Sequence, residues 1–253
     1  MKLGISNLAW SDTEQLKKIC CLLENNHISY IEVVLPMHLE WESCDLAILH
    51  AFVETVNDRG LEIVSTQAIC HGTSLTGFTG KDFVEHVGKV SNICKQVGVD
   101  RLVLGAPKLR SKESIDTLPE TFKYIDQMIG DNNQTLLIEP NSRLYGGAFF
   151  YRVEEIVNFI RTNQLTNTRT MVDTHNCLLE NEHPAVAYEA YRDYIKHIHV
   201  SEQQLGSFIS SNAHIELATL LRQLNYKGLV VYEAKPSRDL KTDLELFVKA
   251  YNN

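Results

Sequence analysis

Residues 135–174 read TLLIEPNSRLYGGAFFYRVEEIVNFIRTNQLTNTRTMVDT. Two short apolar runs, TLLIE at 135–139 and TMVD at 170–173, enclose a segment with helical spacing at 153–162. Apolar runs without polar alternation predict strands buried on both faces, and a helix between two of them predicts a parallel βαβ unit. The same unit recurs outward in both directions. Strands are predicted at 3–8, 30–35, 61–69, 101–105, 135–139, 170–173, 197–201 and 229–233. Helices are predicted at 12–25, 44–58, 82–97, 111–129, 153–162, 185–194, 213–224 and 240–251. Ser11 and Asp239 stand where side-chain oxygens cap the first and last helices. Gly60, Gly98 and Gly228 stand where a left-handed residue ends a helix before the next strand.

Eight βα units in 253 residues predict a single α/β domain over 1–253, a (β/α)8 TIM barrel, which typically needs about 250 residues. A doubly wound open sheet is the structural alternative. No Pro/Gly/Ser-rich linker or low-complexity tract divides the chain. Apolar content of 44% and charged content of 22% are those of a globular protein. The net charge of −8 argues against nucleic acid as a partner, because that binding needs clustered Lys and Arg. No run approaches the roughly 18 apolar residues of a membrane span, and the opening MKLGISNLAW passes straight into a strand, so a cytoplasmic protein without a membrane partner is expected. Cys20, Cys21, Cys44, Cys70, Cys94 and Cys177 lack CxxC spacing and read as reduced, mostly buried thiols.

In such a barrel the carboxyl ends of the strands carry the chemistry. Four consecutive predicted strands end on ionisable residues: Glu139 in TLLIEP, Asp173 in TMVDT, His199 in KHIHVS and Glu233 in LVVYEAKP. Any one of these alone is more simply a solvated rim residue or a hydrogen-bonded core histidine. Together, on neighbouring strands, they would be costly to desolvate without a cation or a proton network. Three carboxylates and an imidazole suit one divalent ion, with Mn²⁺ the first choice and Mg²⁺, Co²⁺ or Zn²⁺ also compatible. Such an ion can polarise a carbonyl and its neighbouring hydroxyl, so that Glu139 and Glu233, on opposite sides of a substrate, take and return a carbon-bound proton through an enediolate.

At these residues the chain resembles the xylose isomerase-like barrel superfamily, which includes ketose 3-epimerases, hydroxypyruvate isomerase, inosose dehydratase and enzymes of the endonuclease IV type. The resemblance implies the same ligand set, Glu139, Asp173, His199 and Glu233, spaced by 34, 26 and 34 residues, with both Glu residues moving protons. KLGISNLAW, LVLGAPKLR and IEPNSRLYGGAFF are similar to a branch described only as sugar phosphate isomerases or epimerases. Many relatives carry a His three residues after the metal-binding Asp, whereas DTHNC places His175 two residues after Asp173 and Asn176 at the third. A homodimer or homotetramer is implied by the resemblance alone.

Further residues of the expected mouth are candidates for substrate contact. Lys108 and Arg110 in GAPKLR could hold a phosphate or carboxylate, with helix-start surface charge as the bland alternative. His71, Asn141, Tyr145, His175 and Lys235 could bond substrate oxygens, and Glu32 either reaches the interior or makes a structural hydrogen bond. Trp10, Trp41, Phe149 and Phe150 could face a sugar ring, although core packing explains each as well. His197 is assigned to the helix layer, and His183 and His214 to solvated or capping positions. The expected activity is a metal-dependent isomerase or epimerase of a sugar or sugar phosphate. The alternative is a dehydratase of a cyclic polyol ketone. An endonuclease IV-like phosphodiesterase is disfavoured by the acidic balance, and a non-catalytic sugar-binding barrel by the intact Glu139/Glu233 pair.

Overall fold

The structure, a computed structural model, describes residues 1–10, 15–43 and 45–252. Eight parallel strands close on themselves in sequence order: β1 (Lys2–Ser6), β2 (Tyr30–Val34), β3 (Glu62–Gln67), β4 (Arg101–Leu104), β5 (Thr135–Ile138), β6 (Thr168–Asp173), β7 (Ile195–Ser201) and β8 (Leu229–Glu233). Pairing of β1 with β8, Lys2 opposite Leu229 through Ile5 opposite Tyr232, completes the ring and leaves no free sheet edge. The described residues form the helices α1 (Leu16–Asn25), α2 (Ala47–Asn57), α3 (Lys81–Gln96), α4 (Leu118–Asp131), α5 (Val153–Thr162), α6 (Thr174–Leu179), α7 (Pro184–Tyr191), α8 (Asn212–Gln223) and α9 (Leu240–Asn252). The expected single barrel is therefore present. None of these helices is long and apolar enough to cross a membrane.

Side-chain alternation builds two apolar layers. Leu102, Leu104, Leu136, Ile138, Val172, Ile198, Val200, Val230 and Tyr232 join the large core between sheet and helices. Their neighbours along the strands point inward as two separate clusters, Val103 with Leu137 and Met171, and Val64 with Leu229 and Val231. Two residues beyond Leu137, Met171 and Val231 stand Glu139, Asp173 and Glu233, so period two carries all three carboxylates to the interior of one mouth.

Several local readings change. The predicted helix at 111–129 opens as a 3-10 segment, Lys112–Thr117, and becomes α-helical only at Leu118, where Pro119 takes a first-turn position that needs no amide donor. A short helix, α6, directly follows β6, because Asp173 itself caps it by accepting from the Asn176 amide. Gly60 and Gly98 are left-handed as expected, but at the end of α8 that role passes to Asn225 (φ 52°) and not to Gly228. Asp239 accepts from the Thr242 amide, as expected of a cap. The proposed cap Ser11 and the thiol of Cys44 lie outside the described residues.

Candidate active site

Glu139, Asp173, His199 and Glu233 converge: each offers one ligand atom, and these atoms lie within 4.8 Å of one another. His199 sits at the centre, fully buried. Its Nδ1 is 3.4 Å from Glu139 Oε1 and 3.3 Å from Glu233 Oε2, yet makes no hydrogen bond of good geometry. Its Nε2 donates to Glu32 Oε1 at 2.7 Å. Asp173 is oriented by the Ser201 hydroxyl (2.8 Å) on one oxygen and the Asn176 amide (2.7 Å) on the other. Asn141 donates its amide to Glu139 at 3.0 Å. Gly105, just past β4, makes room for that carboxylate, since a β-carbon there would collide with Glu139 Oε2.

The crowding shows in the acidities. Burial first, and then the charges of Glu139 and Glu233, push Asp173 up to about 7. Burial also raises Glu233, against the pull of His199. For His199 burial opposes the charged form, but the carboxylates of Glu32 and Glu233 outweigh it and raise its pKa well above the usual imidazole range. Glu32, despite complete burial, is held well below the usual carboxylate range by His199 and His197. A cluster of three carboxylates around one orphaned imidazole nitrogen, paying this desolvation cost, fits a divalent cation by position and by donor chemistry.

The mouth opens into a cavity of about 460 Å³ whose lining includes His71, Lys108, Glu139 and Glu233. Tyr145, exposed on the loop after β5, is close enough to Asp173, Glu139 and Glu233 that their charges add to burial in raising its pKa. Lys235 is exposed just beyond β8. His175 is half-buried on the first turn of α6 and is not among the residues lining this cavity. At the third position after Asp173, Asn176 turns its side-chain oxygen to the Ser142 amide (2.9 Å), away from any substrate role. Ser142 and Arg143 also bond Glu180 at the end of α6. The NSR and DTHN segments are thus one interlocked support for the loops after β5 and β6.

Arg110 corrects its sequence reading as an anion holder. The side chain is buried, with Nη1 donating to Phe150 O (2.9 Å) and Nη2 to Gly105 O (2.8 Å) and Glu139 O (2.7 Å). It fastens the ends of β4 and β5 to the loop before α5. His197 is a second correction. Residues two apart on a strand share a face, so His197 points inward with His199, its Nε2 3.1 Å from Glu32 Oε2. His214, read as solvated, is buried between the Tyr251 hydroxyl and Glu202. Trp10, Trp41 and Phe150 are buried in the core cluster. Ser65, Gly105 and Ser201 were missed, although Ser201 continues the His197, His199 alternation and could have been found from it. Ala68, Ala106 and Phe150 hold left-handed backbones (φ 55°, 53° and 62°) beside the site, a strain of about 1–2 kcal/mol each for residues other than glycine.

Comparison with known proteins agrees with the barrel fold. A family model described as xylose isomerase-like TIM barrel matches residues 25–250. No curated protein matches the chain in sequence. Among solved structures, 3-keto-D-glucoside 4-epimerase YcjR from E. coli superposes with a TM-score of 0.79 at 17% identity, covering 100% of both chains. D-Psicose 3-epimerase from Clostridium cellulolyticum gives 0.74 at 13% identity over 99% of this chain and 96% of that one. The probable 3-DHS dehydratase AsbF from Bacillus anthracis gives 0.72 at 10%, covering 100% and 99%. At these identities the structural likeness speaks for the fold.

Proposed function

Because the chain belongs to the xylose isomerase-like TIM barrel family, we propose that it is a metal-dependent isomerase or epimerase of a sugar or sugar phosphate. The observation that carries this reading is the convergence of Glu139, Asp173, His199 and Glu233 on one point at the mouth. Those four residues would hold one divalent ion, with Mn²⁺ the first choice, and the bound ion would supply Lewis-acid polarisation of a substrate carbonyl and its adjacent hydroxyl.

The remaining work belongs to the protein. Glu139 and Glu233 each place an oxygen near His199 Nδ1 from strands that are not adjacent, β5 and β8. One carboxylate takes the proton next to the carbonyl, leaving an enediolate, and the other returns a proton to it. Asn141 orients the Glu139 carboxylate, and Ser201 orients Asp173. His71 and Lys108 line the cavity beside these groups and would bond substrate oxygens or a phosphate, with Tyr145 closing from the loop after β5.

A dehydratase is the second reading, favoured by the same carboxylate pair and by the fold shared with the probable dehydratase AsbF. One experiment separates the two. The protein is incubated with Mn²⁺ in D₂O and a panel of ketoses, aldoses, sugar phosphates and cyclic polyol ketones, and followed by NMR. Deuterium incorporation with inversion or isomerisation supports the first reading; loss of water supports the second. Glu139→Gln and Glu233→Gln should each abolish exchange, and wild-type exchange in both would refute the assignment.

A further inference from the structure

The interior of the barrel below the four-residue cluster should be hydrocarbon, and two of its layers are: Val103, Leu137 and Met171 in one, Val64, Leu229 and Val231 in the other. Glu32 breaks this pattern. It is wholly buried on β2, across the barrel from β7, and accepts from Ser65 Oγ at 2.8 Å through Oε2. The same oxygen is 3.1 Å from His197 Nε2, while Oε1 is reserved for His199 Nε2 at 2.7 Å. A buried carboxylate is a costly filler for a position where valine or leucine would pack. Its cost requires a return.

An ionised carboxylate has acceptors and no proton to give, so the imidazole nitrogen facing it must carry the hydrogen. With Nε2 of His199 committed in this way, Nδ1 is the atom turned toward Glu139 and Glu233. Were Nε2 left without this partner, the ring could protonate at Nδ1 and present an N–H, which no cation accepts, to the cluster. Ligating histidines are generally held by such an acceptor on their far nitrogen. We infer that Glu32 is a positioning residue that fixes the tautomer and ring orientation of His199, so that Nδ1 is offered as the metal ligand, with Ser65 in turn fixing Glu32. This rests on the metal-site reading above.

The test measures Mn²⁺ affinity by calorimetric titration of the wild type, Glu32→Gln and Ser65→Ala. Glutamine keeps the volume but leaves one acceptor oxygen for three facing groups, and affinity should fall by roughly 10- to 100-fold. Ser65→Ala removes the bond to Oε2 but keeps the Glu32–His199 contact, so affinity should fall by less than in Glu32→Gln. Glu32→Gln affinity equal to wild type, with wild type binding normally, overturns the positioning role alone. A wild type that binds no divalent ion overturns the metal reading and this inference together. Should Glu32→Gln fail to fold, ¹⁵N NMR of histidine-labelled wild type with Zn²⁺ decides. His199 should show a protonated Nε2 and a metal-bound Nδ1, and the reverse pattern refutes the assignment.

Discussion

Replacing Arg110 by Met separates a structural clamp from a substrate contact. Methionine keeps most of the aliphatic stem but removes the guanidinium, whose carbon lies 5.5 and 5.9 Å from the ring centres of Phe78 and Phe150, with every one of its donors. The carbonyl oxygens of Gly105 and Glu139 lose their side-chain donor, and Phe150 O loses one of two, keeping the Asn141 amide at 3.1 Å. An orphaned buried acceptor costs about 1–3 kcal/mol and an ordinary lost hydrogen bond about 1 kcal/mol, so the three losses together cost about 5 kcal/mol. Part is recovered, since burial, opposed by the charges of Glu139 and Glu155, lowers the Arg110 pKa to about 10, and removing that charge relieves about 3 kcal/mol. The net loss is then about 2 kcal/mol, or about 4–8 °C in Tm for a chain of this size. Thermal unfolding followed by circular dichroism measures it. Had Arg110 been a free anion holder, as its sequence position suggested, the variant would keep its Tm and lose only affinity for charged substrates. A Tm within about 2 °C of wild type would refute the clamp.

Two further outcomes follow from the same geometry. Gly105→Ala drives a methyl group into the Glu139 carboxylate, so exchange activity should fall at least tenfold while Tm changes little, and a variant with wild-type turnover would show the carboxylate free to move aside. The raised pKa of Asp173 sets a pH dependence: its folded value, about 7, exceeds the unfolded value near 3.9, so the folded protein retains the proton longer. Metal-free stability should therefore decline as pH rises from about 4 to about 7, by up to a few kcal/mol at this cluster. A divalent ion offsets the repulsion, so the Tm increase on adding Mn²⁺ should be larger at pH 8 than at pH 5. Equal increases at both would contradict the crowding.

The strands were legible because a parallel barrel strand is buried on both faces and writes itself as a run of Val, Ile and Leu; β8 begins and ends where 229–233 was read. The quartet was legible because polar residues at the ends of such runs stand out. What surrounds it was less so. Arg110 lies beside Lys108 in sequence, and nothing in GAPKLR tells which of the two turns inward; that is decided by three carbonyls from distant segments. His197 was recoverable, since alternation places it with His199, and its assignment to the outside was an error of reading. Glu32 pairs with a residue 167 positions away, a contact no local pattern encodes.

The apolar layers beneath Glu32 have an electrical consequence. Val64, Leu229 and Val231 in one cluster, and Val103, Leu137 and Met171 in another, set hydrocarbon behind the histidine and carboxylate column. Hydrocarbon on that side strengthens the charge interactions within the column and leaves the cavity mouth as its open side. A proton held by Glu139 or Glu233 therefore exchanges with solvent through that mouth, so the hydrogen returned by the second carboxylate carries the label of the medium.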